Sequence, residues 1–129
     1  MSRAGKVVAV YEAISRGDFA VTAGMVAPEF EWHPNVGEPD PVVSRDRREA
    51  MARARDFIAA FGDFRTEVEE IRELGDQVAV AVRHSGAPAG TSDQVERREA
   101  HLWTFRGELA VALHEYPTLD AAVEAAGSR

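Results

Sequence analysis

Four histidines and two tyrosines carry most of the acid–base chemistry open to this chain, which has no cysteine. A histidine with an unperturbed pKa of about 6.5 removes or returns a proton at neutral pH without the large burial-driven shift that a carboxylate needs. A tyrosine hydroxyl in a water-poor cavity stabilises an oxyanion, and losing one such donor costs on the order of 3 to 4 kcal/mol of barrier. The missing cysteines remove disulfides, thiolate metal sites and a cysteine nucleophile. There is no glycine-rich phosphate loop, no GxSxG elbow and no histidine pair at the i, i+4 spacing of a zinc helix. No two histidines share an i, i+2 spacing either, so neither a metal nor a cofactor is expected, and insensitivity to a chelator is the check.

Period-two counting collects the candidates. If Arg106 and Gly107 form a two-residue turn, Phe105 pairs with Glu108, Trp103 with Ala110, His101 with Ala112 and Glu99 with His114. That register puts His101, Trp103, Phe105, His114 and Tyr116 on one face, against Leu102, Thr104, Leu109, Val111 and Leu113 on the other. The segment Val78, Val80, Val82, His84 alternates in the same way with Ala79, Ala81 and Arg83. The grouping depends on register, and a slip of one residue reverses it. Each candidate also has a structural reading. His33 can finish a strand before Pro34, His84 can stand at a solvent-open strand end, and His101 and His114 can be a satisfied polar pair. Tyr11 can fill the core with its hydroxyl bonded. Trp103, Met51 and Phe57 are packing residues by default, and cavity walls if a cavity forms.

The elements that must position these residues follow from spacing. Val7, Val10, Tyr11 and Ile14 define a helix near residues 4 to 15 that ends at Gly17. Asp18 can cap a short second helix carrying Phe19, Met25 and Val26, which must finish before Pro28. Residues 30 to 33 form a brief strand, and Pro34, Gly37, Pro39 and Pro41 then impose a loop. Asp46 with Glu49 resembles a capping box ahead of a helix whose apolar positions include Met51, Phe57, Ile58 and Phe61. From Phe64 onward the period becomes two, with strands near 64 to 74, 77 to 85, 94 to 105 and 108 to 116. Alternation slips between Val68 and Ile71, which predicts a bulge and a bent sheet. Thr118 can cap a last short helix, 119 to 126, with Gly127 as its stop. Helices followed by strands favour α+β over alternating βαβ architecture.

Composition bounds the rest. A chain of 129 residues with 45% apolar content suits one domain, 1–129. A net charge of -7 argues against nucleic-acid binding, which is dominated by cations neutralising phosphates. Five arginines between 45 and 55 are interleaved with Asp46, Glu49 and Asp56, as on a solvated helix face. No apolar run approaches the roughly 20 residues of a membrane span, and the N-terminus reads as an amphipathic helix. The expectation is a cytoplasmic protein with no membrane partner.

The chain resembles the nuclear transport factor 2-like superfamily, in its branch of SnoaL-like polyketide cyclases and ketosteroid isomerases. The resemblance rests on VVAVYEAISRGDF, on FEWHP followed by a Pro/Gly loop, on RREAMARARDFIAAF and on HLWTFRGELAVALHEYPTLDAAVEAAG. It implies a cone, in which three helices close the concave face of a curved antiparallel sheet beside a short C-terminal helix. It also implies a homodimer formed through the sheet exterior. Tyr11 matches the helix-one tyrosine that donates an oxyanion hydrogen bond in ketosteroid isomerases, and His101 falls at their second donor. His33 falls where they carry a carboxylate base, and His114 where the cyclases keep an acidic residue. His84 and Tyr116 project inward on the same alignment, so that all four histidines face one cavity. The resulting expectation is a small-molecule enzyme of isomerase, cyclase or hydrolase type. Its catalytic residues are Tyr11, His33, His101 and His114. Its small apolar or carbonyl-containing ligand is held by His84, Trp103, Tyr116, Met51 and Phe57. The alternative is a non-catalytic ligand-binding or dimerisation module of the same fold.

Overall fold

The computed structural model describes residues 1–35 and 42–127, so the Gly37, Pro39 and Pro41 part of the expected loop lies outside the described residues. In chain order the elements are α1 (Arg3–Ser15), α2 (Ala20–Met25), β1 (Val26–His33), α3 (Arg47–Ala59), β2 (Arg65–Leu74), β3 (Gln77–Gly86), β4 (Val95–Arg106), β5 (Leu109–Tyr116) and α4 (Leu119–Gly127). The five strands make one sheet in the order β1-β5-β4-β3-β2. β2 to β5 pair antiparallel as a meander, and β1 joins the far edge parallel to β5.

Local chemistry sets the helix ends. Ser2 caps α1 by accepting from the Gly5 amide, and Asp46 caps α3 by accepting from the Glu49 amide at 2.8 Å. The Glu49 carboxylate reaches back one residue further than a capping box requires, to the Arg45 amide. Asp18 accepts from the Ala20 amide, so α2 starts at Ala20 and Phe19 lies before it. Val26 leaves that helix and opens β1, which carries Pro28 within it. An edge strand tolerates a proline because one row of its amides pairs with nothing.

The main core lies between the helices and one sheet face. Val7, Val10 and Tyr11 of α1, Met25 of α2, and Ala50 and Met51 of α3 pack on Val78, Val80, Val82, Trp103, Phe105 and Leu113. α4 covers part of the opposite face, where Ala122 meets Ala79, Ala100 and Leu102, with Tyr116 and Leu119 packed against them.

Two bulges bend the antiparallel part of the sheet, and the register of β1 on β5 shifts as well, between Val26 and Glu31. The expected one is present: Val68 pairs with Val82 and Glu70 with Ala81, leaving Glu69 as the extra residue. The second corrects the sequence reading of the hairpin. Its turn is Gly107 and Glu108, with Gly107 at φ 63°, and Arg106 pairs with Leu109. That one-residue displacement of the turn leaves the faces unchanged. Phe105 then pairs with Ala110 but Thr104 with Ala112, so Val111 is an extra residue that reverses every β5 side chain beyond it.

Candidate functional site

Past Val111, Leu113 stands opposite Trp103 and Glu115 opposite His101, whereas His114 pairs with Leu102 and Tyr116 with Ala100. His114 and Tyr116 therefore lie on the face opposite α1, α2 and α3, the side that α4 partly covers, contrary to the expected grouping. His33 goes with them. β1 pairs it with His114, and the two imidazoles stack with centroids 4.2 Å apart and planes 5° from parallel. His33 Nε2 also lies 2.8 Å from Glu31 Oε1. Burial, reinforced by the neighbouring His33 charge and partly opposed by Glu31, lowers the His114 pKa. The four histidines thus divide into two pairs on opposite faces, and His33, His114 and Tyr116 do not line the cavity.

The cavity opens between α1, α3 and the concave face, with a volume of about 160 Å³. Tyr11, His101, His84, Trp103, Met51 and Phe57 all line it, as the sequence led one to expect. Trp32, Phe30, Val10 and Leu113 complete an apolar wall. At one end Phe57, Phe61, Phe64 and His84 form an aromatic cluster with ring centroids 5.5 to 6.3 Å apart.

A buried polar chain runs along this wall. The Tyr11 hydroxyl lies 2.6 Å from His101 Nδ1, and His101 Nε2 lies 2.5 Å from Glu99 Oε2. Cross-strand pairing of Val80 with His101, Val82 with Glu99 and His84 with Arg97 stacks these groups in order. The Trp103 indole N–H donates to the Tyr11 oxygen at 2.9 Å. His84 Nε2 comes within 3.6 Å of Glu99 Oε2, and Arg97 Nε within 3.1 Å of Glu99 Oε1. Burial works to raise the Glu99 pKa, but hydrogen bonds and charge from His101 and His84 outweigh it and hold the carboxyl well below its usual range. An ionised Glu99 only accepts, so a neutral His101 carries its proton on Nε2 and accepts a hydrogen bond from the Tyr11 hydroxyl at Nδ1. Burial raises the Tyr11 pKa well above its ordinary value, against the Trp103 hydrogen bond and with help from the charges of Glu99 and Glu115. The phenol stays protonated and acts as a donor.

Glu115 is the second carboxylate in the cavity. The Trp32 indole N–H donates to its Oε2 at 2.9 Å, and the Asn35 amide to its Oε1 at 3.1 Å. The Arg53 guanidinium lies over the Trp32 ring, 5.2 Å from its centroid. Sequence reading missed Glu115 because the bulge was invisible to it. Glu99 was within reach, since the i, i+2 spacing of Glu99 and His101 on one strand puts both on one face. For a metal or cofactor, the described residues offer one group. Donor atoms of His84, Glu99 and His101 all lie within 4.8 Å of one another.

The sheet wrapped around an interior cavity, closed by helices from one side, is the cone of the nuclear transport factor 2-like fold. A family model described as "SnoaL-like domain" matches residues 7–113, and the chain belongs to that family. An NTF2-like protein from Burkholderia thailandensis E264 is similar at 25% identity and TM-score 0.73, with 98% of each chain covered. A protein from Catenulispora acidiphila with a ketosteroid isomerase-like fold, solved with trimethylamine, is 16% identical at TM-score 0.75, covering 95% of this chain and 92% of that one. One from Jannaschia sp. CCS1, described as a SnoaL-like polyketide cyclase, is 16% identical at TM-score 0.74, covering 100% and 97%. No curated protein matches the chain.

Proposed function

We propose that the chain is a small-molecule enzyme that moves a proton next to a carbonyl group, in the manner of an isomerase or cyclase. The observation that carries this reading is the Tyr11–His101–Glu99 chain opening on an apolar cavity that also holds the Glu115 carboxylate. Glu115 acts as base toward a carbon adjacent to the substrate carbonyl, and Tyr11 holds the oxygen on which the negative charge develops. When substrate binds, the Tyr11 O–H turns from His101 Nδ1 to the substrate oxygen, while the Trp103 indole N–H still donates to the Tyr11 oxygen. The same proton then returns from Glu115 to another carbon, or the enolate attacks a second carbonyl within the substrate. The aromatic and aliphatic walls fit a flat, apolar substrate. His33 and His114 have no part in this scheme, because they stand on the other face.

The test is deuterium incorporation from heavy water, followed by NMR, into a panel of aromatic and polycyclic ketones mixed with the protein. Exchange is expected to fall about 100- to 1,000-fold in Tyr11→Phe, the loss typical of one oxyanion donor. It is expected to drop to background in Glu115→Gln and to persist in His114→Asn. Ligands that bind without exchange, or exchange undiminished in Glu115→Gln, would refute the reading.

A further inference from the structure

The geometry points to a binding site for one divalent transition-metal ion, of the Zn²⁺, Co²⁺ or Fe²⁺ type, formed by His84, Glu99 and His101. Two imidazoles and a carboxylate on one side of an ion, with the remaining positions open, are a donor set that suits these metals and not Mg²⁺ or Ca²⁺. Ligand bonds of about 2.0 to 2.2 Å put neighbouring donor atoms about 3 to 3.5 Å apart. Here both Nε2 atoms converge on Glu99 Oε2, at 2.5 Å for His101 and 3.6 Å for His84, and the three donors fit within 4.8 Å. Small side-chain rotations therefore open the cluster around an ion that replaces the imidazole protons.

The surroundings are organised for this. Arg97 Nε holds Glu99 Oε1, which leaves Oε2 as a single coordinating oxygen. With an ion on Nε2, His101 carries its proton on Nδ1 and donates it to the Tyr11 oxygen, the kind of outer contact that orients a histidine ligand. His84 Nδ1 is buried without a hydrogen-bond partner, so its ring can turn and present either nitrogen without breaking a bond on that side. All three side chains line the apolar cavity. The other histidine pair lacks this arrangement. The planes of His33 and His114 are 5° from parallel, so their in-plane nitrogen lone pairs do not converge on one point.

Histidine spacing alone does not reveal this set, because one of its three ligands is a carboxylate: His84, from the adjacent strand, completes the Glu99-x-His101 pair. The inference shares Tyr11 and His101 with the proton-transfer reading but stands apart from its base, Glu115.

The experiment uses the untagged full chain, stripped with chelator and titrated with Zn²⁺ by calorimetry and with Co²⁺ by visible absorption. One ion per chain is expected, with a rise in melting temperature that Mg²⁺ and Ca²⁺ do not reproduce. His84→Asn and Glu99→Gln are each expected to weaken binding at least about tenfold, and Tyr11→Phe by about 10- to 100-fold through its contact with His101. Glu115→Gln and the double variant His33→Asn/His114→Asn should bind as the parent does. Should Glu99→Gln fail to fold, His84→Asn decides, because His84 sits at the end of the polar chain. No ion bound, or binding lost in the His33/His114 variant and kept in His84→Asn, would overturn the site. Loss of exchange in Glu115→Gln with binding intact separates failure of one inference from failure of the other.

Discussion

Tyr11 is the residue on which the buried polar chain turns, since its one oxygen receives the Trp103 indole proton while its own proton goes to His101. Tyr11→Phe keeps the ring and removes that oxygen, leaving a buried donor and a buried imidazole nitrogen partnerless. An unsatisfied buried polar group costs about 1 to 3 kcal/mol, so the urea midpoint is expected to fall measurably. An unchanged midpoint would mean that the indole had found another acceptor. Residues of this kind were legible where nothing interrupts periodicity. Tyr11, Met51 and Phe57 follow from helical spacing, and His84, His101 and Trp103 from alternation along single strands. His114 and Tyr116 were misplaced because their faces had to be carried across a turn and a bulge. His33 was placed by resemblance to a family position, whereas in the structure it follows His114.

At the scale of elements, types and most bounds came through, because capping residues, glycines and changes of period act locally; β1 did not, since it begins at Val26, which the sequence reading placed in the second helix, and not at residue 30. Asp46 starts α3 and Thr118 starts α4 through bonds that short-range sequence encodes. Bulges are different. The Glu69 bulge shows in an apolar pattern that stumbles between Val68 and Ile71, whereas Val111 lies in a run, Leu109 to Leu113, that is apolar on both faces and hides the slip. The end of β3 depends on another feature of this kind. A Cβ on Gly86 would lie 3.2 Å from Phe61 Cδ1, 3.3 Å from the Asp63 carbonyl oxygen and 3.3 Å from the Phe64 Cα. Two of these neighbours are backbone and cannot swing away. Gly86→Ala is therefore expected to cost about 1 to 3 kcal/mol, the range for overpacking, and to disturb the Phe64–His84 contact at the aromatic end of the cavity. Thermal unfolding measures the first effect, and His84 chemical shifts report the second. A variant that melts with the parent would show that the Phe61–Phe64 turn yields easily.

For the molecule as a whole, the sheet separates two chemistries, a closed polar chain toward α1, α2 and α3 and a half-buried histidine pair on the side that α4 partly covers. The outer pair ties global stability to pH. The His114 pKa is lowered from the ordinary 6.5 by burial and by His33, against the pull of Glu31, so the unfolded chain binds its proton more readily than the folded one. Stability then falls as pH drops below about 6.5, and the loss levels off once pH passes below the folded-state value. The exposed Asp63 carboxylate adds a second, lower step. Hydrogen bonds from the Ala87 amide and the Gln94 side chain, with a contribution from Arg65, lower its pKa from 3.8, so its contribution is present above that pH and lost in stronger acid. Melting temperature measured between pH 8 and pH 3 should therefore decline in two stages. His114→Asn is expected to flatten the upper stage alone, and Asp63→Asn to lessen the lower one, to which Glu99 and Glu108 also contribute because their carboxyl pKa values are lowered as well. If His114→Asn left the upper stage intact, the stacked imidazoles would not be the groups that couple folding to protons there.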